Sequence, residues 1–398
     1  MAASRTIIVA GAGIGGLTTS LALARQGFRV IVLEKSERLE EAGAGLQLSP
    51  NASRVLIDLG LRPRLSRAVT PEAICLMSAT NGGEITRISL GQAATATDAP
   101  YWVIHRADLQ TALKDEVESC SDIELRLGCQ FEDVSPHAKG LTVIQRSRTA
   151  RQEEIAGALI GADGIWSAVR HHLLPDVQPR FSGLIAWRGT LDATQLPREY
   201  TSRRVQLWMG PNAHLVAYPI SGARQINVVA VVPGQWNRPG WSEPGDGNDI
   251  KSTFVAAGWH AIPRMLISAV DGWRKWALFT VSAGGQWADG TVALLGDAVH
   301  AMLPFAAQGA AMAIEDAAVL AKCLSERPND GAEALSAALK RYARLRRPRV
   351  ARVQRSARQA GRIYHLAGPL ALARDLVIRA MGPGRMLSRQ DWIYDWRG

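Results

Sequence analysis

The first 35 residues carry the pattern that most restricts the fold, a glycine-rich turn between a short apolar strand and a helix. The stretch RTIIVA (residues 5–10) predicts a buried strand, GGLTTSLALARQG (15–27) predicts a helix that ends at Gly27, and RVIVLEK (29–35) predicts a second strand. A parallel pair of strands needs a long crossover connection, and the helix between these two strands supplies one, so the strands are expected to lie parallel. The chain is therefore expected to contain an α/β domain.

Three glycines and one acid in this unit have the spacing of a dinucleotide site. Gly11 permits the tight turn, Gly13 lets the backbone approach a pyrophosphate, and Gly16 allows close packing of helix on strand. The helix N-terminus adds free N–H groups and a partial positive charge. Glu34 ends the second strand, where a carboxylate can bind an adenosine ribose. This pattern predicts dinucleotide binding without separating NAD from FAD.

The middle of the chain has a different texture. The runs RVQLWMG, HLVAYPI and QINVVAVV, separated by turn residues, predict an antiparallel sheet, and residues 73–89 predict a hairpin around Asn81-Gly82-Gly83 that joins it. Residues 233–249 read as a polar loop. We expect a Rossmann-like nucleotide-binding lobe with a parallel sheet (1–72, 101–176, 276–330), interrupted by a lobe with a mostly antiparallel sheet (73–100, 177–275), and C-terminal helices (331–398).

Two further motifs lie far from the glycine loop. In GADGIWSAVR (161–170), Asp163-Gly164 follows a short apolar strand, and alone it would be an ordinary turn before a helix. In GDAVHAMLPFAAQGAAMAIEDA (296–317), Asp297 follows the strand TVALLG, at the strand end where open α/β sheets bind ligands. The small residues after Gln308 suit either a flat ring against the backbone or tight helix packing.

Charge, hydropathy and cysteine content argue against several other classes of protein. The net charge is +10, and residues 340–362 carry ten Lys/Arg and no acid. No nucleic-acid motif accompanies this run, which favours a solvated helix face with Tyr342, Leu345 and Val353 turned inward over nucleic-acid binding. No apolar run approaches the roughly 18 residues of a membrane span. The four cysteines lack metal-ligand spacing, so we expect a cytoplasmic protein with reduced thiols and no metal.

Taken together, the motifs resemble those of the single-component FAD-dependent aromatic hydroxylases, the p-hydroxybenzoate hydroxylase superfamily. The resemblance rests on the glycine loop with Glu34, on DGIWSAVR and on the 296–317 stretch, and it extends to residues 43–61, 105–113 and 341–358. It covers nearly the whole chain. Within the superfamily the chain is most similar to salicylate, 3-hydroxybenzoate and 6-hydroxynicotinate hydroxylases.

The resemblance implies FAD as the cofactor and NADH or NADPH as co-substrate. Glu34 would hold the adenosine ribose with Lys35 nearby, Arg106 the phosphate or ribityl region, and Asp297 the ribityl chain. Asp163 would serve both FAD and the nicotinamide cofactor. Gly309 and Ala310 would meet the isoalloxazine through their backbone, and Gln47 would also lie at the cofactor. His300 would be structural or adjacent to the flavin.

For catalysis, the resemblance implies that reduced flavin and O2 form an electrophilic hydroperoxide that attacks a phenolate. His214 is the expected base, because a histidine pKa lies near neutral pH. Tyr218 lies on the same face of the strand, Gln308 matches a substrate-pocket position, and Pro304 would border the oxygen pocket. The apolar residues Met302, Leu303 and Phe305 would keep the site dry.

The expected substrate is a small phenolic or heteroaromatic acid of the salicylate or 3-hydroxybenzoate type. Gln47 and Gln308 stand where the 6-hydroxynicotinate branch is expected to have histidines, which argues against that substrate without excluding it. Urate, a polycyclic phenol or epoxidation remain alternatives within the superfamily, and a flavin-free NAD dehydrogenase or a basic-surface binding protein lies outside it. No carboxylate anchor is evident, since Arg188 could equally brace the sheet. The protein is expected to be a monomer or a homodimer.

Overall fold

The structure, a computed structural model, describes residues 5–39, 45–91, 98–138, 140–197, 202–238, 240–327, 329 and 331–398. Its strands are β1 (Thr6–Ala10), β2 (Arg29–Glu34), β3 (Gly45–Leu48), β4 (Ala73–Ser78), β5 (Glu84–Ser89), β6 (Trp102–His105), β7 (Ile123–Leu127), β8 (Gln130–His137), β9 (Gly140–Arg146), β10 (Arg151–Ala156), β11 (Ala158–Gly161), β12 (Arg180–Asp192), β13 (Arg204–Gly210), β14 (Ala213–Ile220), β15 (Gln225–Pro233), β16 (Ser242–Gly245), β17 (Trp273–Thr280), β18 (Ala288–Asp289) and β19 (Val292–Leu294). The α-helices span Ile14–Ala24, Pro50–Asp58, Arg106–Glu118, Ala168–Leu173, Gly247–Ala256, Ala261–Ser268, Asp297–His300, Gly309–Ser325, Ala332–Tyr364, Gly368–Ser388 and Asp391–Tyr394.

A six-stranded sheet in the order β18-β19-β11-β1-β2-β7 forms the first lobe. Its pairs are parallel except β18 with β19. The predicted βαβ unit is confirmed: β1 and β2 run parallel around the helix Ile14–Ala24, and β1 is buried along its whole length. The strands come from three separated stretches of the chain, so the carboxyl ends of β1, β11 and β19 meet at one edge of the sheet. Residues following all three ends are thereby brought together.

An eight-stranded, mostly antiparallel sheet in the order β16-β17-β12-β15-β14-β13-β4-β5 forms the second lobe. The predicted hairpin joins it as β4 and β5, and β4 pairs with β13 in parallel. Alternate residues of β12, β14 and β15 pack against the helices Gly247–Ala256 and Ala261–Ser268, forming an aromatic-rich core. The opposite face of the same strands is left to line a cavity. Residues 233–249, read as a loop, contain the short edge strand β16, because Ser242–Gly245 pairs with β17.

The helix Gly309–Ser325 packs against the helix Ile14–Ala24 and also against the basic helix Ala332–Tyr364. Tyr342 and Val353 are fully buried as predicted, but Leu345 is 53% exposed, so the prediction that Leu345 faces inward is wrong. Arg346 takes the inward position instead, 1% exposed and bonded to Glu315 and Asp316. Arg346 faces inward because two buried carboxylates without a cation would destabilise the fold more than the exposure of one leucine does.

Two smaller sheets complete the structure. β8, β9 and β10 form a three-stranded antiparallel sheet that the sequence did not predict, and β3 pairs with β6. Across the described part of the chain, no helix combines the length and the apolar content that a membrane crossing requires.

Candidate active site

Two connected cavities follow the edge where the parallel sheet meets the second lobe. The inner cavity has a volume of about 280 Å³ and the outer groove about 560 Å³. Gly13, Arg106, Gly164, Asp297 and Pro304 line both, so the two form one elongated cleft. The predicted residues Glu34, Lys35 and Asp163 line the outer part, whereas Gln47, His214, Tyr218, Gly309 and Ala310 line the inner part.

The glycine loop leaves open space at one of its three glycines. A Cβ on Gly11, whose φ is +102°, would lie 2.5 Å from the Ala162 carbonyl oxygen, and a Cβ on Gly16 would lie 1.9 Å from the Gly11 oxygen. At Gly13 nothing lies within 4 Å of such an atom. Gly11 and Gly16 are therefore required by packing, while Gly13 presents bare backbone to the cleft directly before the helix begins at Ile14.

Glu34 ties the loop to the end of β2. Its carboxylate accepts hydrogen bonds from the backbone N–H of Ala12 at 2.8 Å and of Ser36 at 2.9 Å. The side chain still lines the outer groove beside exposed Lys35. The ribose-binding role of Glu34 stays a prediction, with the added finding that the carboxylate also fixes the loop.

Asp163 caps a helix. Its carboxylate accepts from the Ser167 hydroxyl at 2.5 Å and from the N–H groups of Ala168 at 2.7 Å and Val169 at 3.2 Å. Burial raises the pKa of this carboxyl, and these hydrogen bonds oppose the rise. The contacts order the turn that lines the outer groove, and the predicted direct service of Asp163 to both cofactors stays a prediction.

Asp297 is exposed at the junction of the two cavities, at the start of the short helix Asp297–His300. The preceding residue, Gly296, has a φ of +59° and donates its N–H to Asp316 at 3.0 Å. His300 is fully buried, and its Nε2 lies 2.6 Å from the same carboxylate. His300 therefore supports this turn from within the core, in agreement with its predicted structural role, and Asp297 faces the cleft.

Gln308 is placed differently from the expectation. Its side chain is 3% exposed, its amide nitrogen donates to the Ser49 hydroxyl at 2.8 Å, and its amide oxygen accepts from Asn51 at 3.2 Å. Asn51 also donates to Glu315 at 2.6 Å. The Gln308 side chain thus points into a buried polar network under the helix Gly309–Ser325, and not toward oxygen and substrate as expected.

One face of the second-lobe sheet closes the inner cavity. His214, Val216 and Tyr218 alternate along β14, opposite Val231, Val229 and Asn227 of β15. Arg188 of β12 lies in the same row as Val229, and its guanidinium stands 5.5 Å from the centre of the Trp276 ring.

His214 is 2% exposed and Tyr218 4% exposed, yet both line the cavity. Burial holds the pKa of His214 well below its usual range and raises that of the Tyr218 phenol.

The sequence analysis did not predict two further residues at this face. His365 lies behind His214, with its Nε2 2.8 Å from His214 Nδ1. Asn227 is fully buried and accepts from the Gly45 N–H at 2.7 Å. Asn227 had a signal, as a polar residue inside an apolar strand, whereas His365 stands in the helix connection YHLAGP and had none.

The cleft fits FAD by its shape and by its polar groups. It is elongated, as the cofactor is, and it places the open glycine backbone of Gly13 between the outer groove with Glu34 and the inner cavity with Gly309 and Ala310. Arg106 and Asp297 lie where the two parts join, so a cation and an acceptor flank the middle of the cleft. The adenosine end would bind in the outer groove and the ring would enter the inner cavity.

Comparison with known proteins agrees with this fit. Residues 4–357 match the family described as an FAD binding domain. The chain belongs to the family of FAD-dependent aromatic hydroxylases. It is 35% identical over 399 residues to the 3-hydroxybenzoate 6-hydroxylase of Klebsiella oxytoca, covering 100% of this chain and 98% of the relative. It is 38% identical to the 3-amino-4-hydroxybenzoate 2-monooxygenase PtmB3 of Streptomyces platensis, covering 98% and 95%.

A solved structure leads to the same family. The substrate complex of a salicylate hydroxylase superposes with a TM-score of 0.83 at 25% identity, covering 99% of this chain and 96% of that one. The protein is accordingly an FAD-dependent monooxygenase, and a flavin-free dehydrogenase is excluded.

Proposed function

We propose that the protein hydroxylates a small phenolic carboxylic acid of the salicylate or 3-hydroxybenzoate type, with NADH or NADPH as reductant. The observation that carries this proposal is the inner cavity, where a histidine, a tyrosine and an arginine stand on a sheet face whose other cavity-lining side chains are valines. These residues match the three parts of a phenolic acid: the histidine and the tyrosine suit its hydroxyl, the apolar surface suits its ring, and the arginine suits its carboxylate. Relatives named for hydroxybenzoate hydroxylation that span the whole chain support the same substrate class.

His214 would accept the phenolic proton. Its lowered pKa keeps the imidazole neutral near pH 7, and its Nδ1 is engaged by His365, which leaves Nε2 for a ligand in the cavity. Removing the proton raises the electron density at the ring carbons ortho and para to the oxygen. Bound FAD, once reduced, supplies the chemistry that transfers oxygen from O2 to such a carbon.

Tyr218 would orient the substrate hydroxyl. Its phenol group has no hydrogen-bond partner among the described residues, and it reaches the cavity two positions along the face from Val216. Its raised pKa keeps it a donor at neutral pH. Val216, Val229 and Val231 surround these groups with apolar surface, which excludes water from the reacting ring.

Arg188 would bind the substrate carboxylate. It lies across Val229 from the His214–Tyr218 strand, and the guanidinium is held over the Trp276 ring. Arg106 and Arg188 both line the inner cavity and the outer groove, but of these two only Arg188 stands on the sheet face that carries His214 and Tyr218. A planar guanidinium suits a carboxylate because it can donate two parallel hydrogen bonds.

A substrate screen tests the proposal. FAD-loaded protein would be supplied with NADH or NADPH and, separately, with 3-hydroxybenzoate, salicylate, 3-amino-4-hydroxybenzoate, 6-hydroxynicotinate and urate. We expect stimulated reductant oxidation and a product heavier by one oxygen atom with a hydroxybenzoate. His214→Ala is expected to retain FAD and to release hydrogen peroxide in place of product. Oxygen insertion only into urate or 6-hydroxynicotinate would contradict the proposed substrate class.

A further inference from the structure

The His214 and His365 rings are hydrogen-bonded although 151 positions separate them in the chain. His214 Nδ1 and His365 Nε2 are 2.8 Å apart, and the ring centres lie 5.1 Å apart. His214 is 2% exposed and lines the inner cavity, whereas His365 is only partly buried. The pair therefore runs from the cavity wall toward the protein surface.

Aromatic groups enclose the His214 ring. Phe305 and Tyr364 contact it edge to face, with ring centres at 5.0 and 5.5 Å. The Tyr364 hydroxyl donates to the Phe305 carbonyl at 3.3 Å, and the residues paired with His214 on the neighbouring strands are Met209 and Val231. The titratable groups facing His214 from these elements are thus His365 and Tyr364, and neither is a carboxylate that could stabilise a positive charge on His214.

The backbone around His365 fixes the ring in this position. His365 follows the long helix Ala332–Tyr364, its N–H donates to Gly361 at 3.2 Å, and its carbonyl accepts from the N–H of Asn212 at 3.1 Å. Asn212 immediately precedes β14, so the same turn positions both histidines. The buried Arg374 secures the helix end from the other side by donating to the Tyr364 carbonyl at 3.3 Å.

A lone base in this wall would be poor, because an imidazolium enclosed by aromatic rings loses its hydration. Burial accordingly lowers the pKa of His214 strongly and that of His365 to about 4. A second imidazole lets the proton leave the enclosed ring, so that the charge never has to reside there.

We propose that His365 completes a two-histidine relay that carries the phenolic proton from the inner cavity through His214 to the surface. The inference rests on the proposed function. The phenol O–H gives its proton to His214 Nε2, His214 Nδ1–H gives one to His365 Nε2, and His365 Nδ1–H gives one to water. The sum is phenol plus water to phenolate plus hydronium, with both imidazoles neutral and in the other tautomer. Return of a proton to the product along the same path restores them.

The test follows ionisation of a bound phenol, independently of oxygen chemistry. Oxidised FAD-loaded protein is mixed rapidly with a nitro-substituted 3-hydroxybenzoate, whose phenolate absorbs in the visible range, at a pH below the pKa of the probe. We expect rapid phenolate formation in wild type with a solvent deuterium isotope effect. In His365→Gln, which keeps a hydrogen-bonding group but cannot relay a proton, ionisation should slow at least about tenfold with little change in probe affinity. The exposed His171→Gln serves as the matched control.

A second variant separates relay from packing. In His365→Ala, added imidazole should restore ionisation, an effect that a purely structural role of His365 would not produce. Wild-type ionisation rates in His365→Gln, or no imidazole rescue in His365→Ala that still binds the probe, would overturn the relay and leave the proposed function standing. Failure of wild type to bind and ionise any phenolic acid would overturn both.

Discussion

The guanidinium of Arg170 donates to the carbonyl of Ala298 at 2.7 Å, across 128 positions of the chain. A second nitrogen of the same group donates to the Ile165 carbonyl at 2.7 Å. Arg170 is 3% exposed, and its bond to Ala298 forms away from water, whereas the bond to Ile165 is partly buried. One side chain therefore joins the turn after Asp163 to the turn that presents Asp297, and the two motifs act as a single wall of the cleft.

Replacing Arg170 with Met should weaken both folding and cofactor retention. The buried Ala298 carbonyl and the partly buried Ile165 carbonyl would lose a charged donor, and we expect a loss of about 3 kcal/mol in the free energy of unfolding. FAD affinity should also fall, because the Asp297 turn loses its brace. Thermal unfolding and fluorescence titration with FAD measure the two effects. Arg148→Met, at an 83% exposed side chain, is the control and should change neither. An Arg170→Met protein with wild-type FAD affinity would contradict the bracing role.

Local features of the fold could be predicted from the sequence, because their causes lie within a few residues. The strand and helix periods around Gly11, Gly13 and Gly16 and the alternation along β14 are set by neighbouring residues. The position of Asp297 at a strand end follows from the parallel sheet itself. For these elements the structure agrees with the sequence to within a few residues.

Side-chain direction and distant contacts could not be predicted. Gln308 directly precedes the helix Gly309–Ser325, and its direction is decided by Ser49 and Asn51, about 260 positions earlier in the chain. Leu345 is displaced from the core because Arg346 must meet Glu315 and Asp316. His365 reaches His214 only through the end of a 33-residue helix. Periodicity carries no information on such long-range polar pairing.

Alanine at Gly13 and at Gly16 should have different consequences. The Cβ of Gly13→Ala meets no atom within 4 Å, and its φ of −72° suits any residue, so the apoprotein should keep its stability. FAD affinity should fall at least about tenfold, since the added methyl lies where a pyrophosphate would approach. Gly16→Ala places a carbon 1.9 Å from the Gly11 oxygen and should destabilise the apoprotein itself. Calorimetry of apoprotein with and without FAD distinguishes them, and normal FAD binding by Gly13→Ala would refute the proposed position of the cofactor.

Arg188→Met should discriminate between charged and neutral substrates. If the guanidinium binds a carboxylate, the variant should raise KM for 3-hydroxybenzoate by about 10- to 100-fold, the value of a charged hydrogen bond. The uncharged 3-hydroxybenzamide is the matched control and should be affected much less. Steady-state kinetics with both compounds, on protein saturated with FAD, gives the comparison. An equal effect on the two would show that Arg188 braces the sheet against Trp276 and does not bind the carboxylate.

The histidine pair should make the protein labile to mild acid. In the folded state burial lowers the pKa of His365 to about 4 and that of His214 well below 6.5, whereas both return to about 6.5 on unfolding. Between these values the unfolded chain binds more protons, so the free energy of unfolding must fall as the pH drops from about 6.5 toward 4. The double variant His214→Gln/His365→Gln should lose this dependence, on the order of 2 kcal/mol after allowance for the partial exposure of His365.

Urea unfolding of FAD-loaded wild type and variant at pH 7.5, 6.0 and 5.0 measures this difference, with His171→Gln as the exposed control. Carboxylates whose pKa is lowered by ion pairs, such as Asp316 beside Arg346 and His300, lose their contribution only at more acidic pH and do not obscure the window. If wild type and double variant lose stability in parallel between pH 7.5 and 5.0, the two imidazoles are not held neutral by burial. The relay through His365 would then lose its physical basis, because a ring that is readily protonated in the wall needs no second ring to remove its charge.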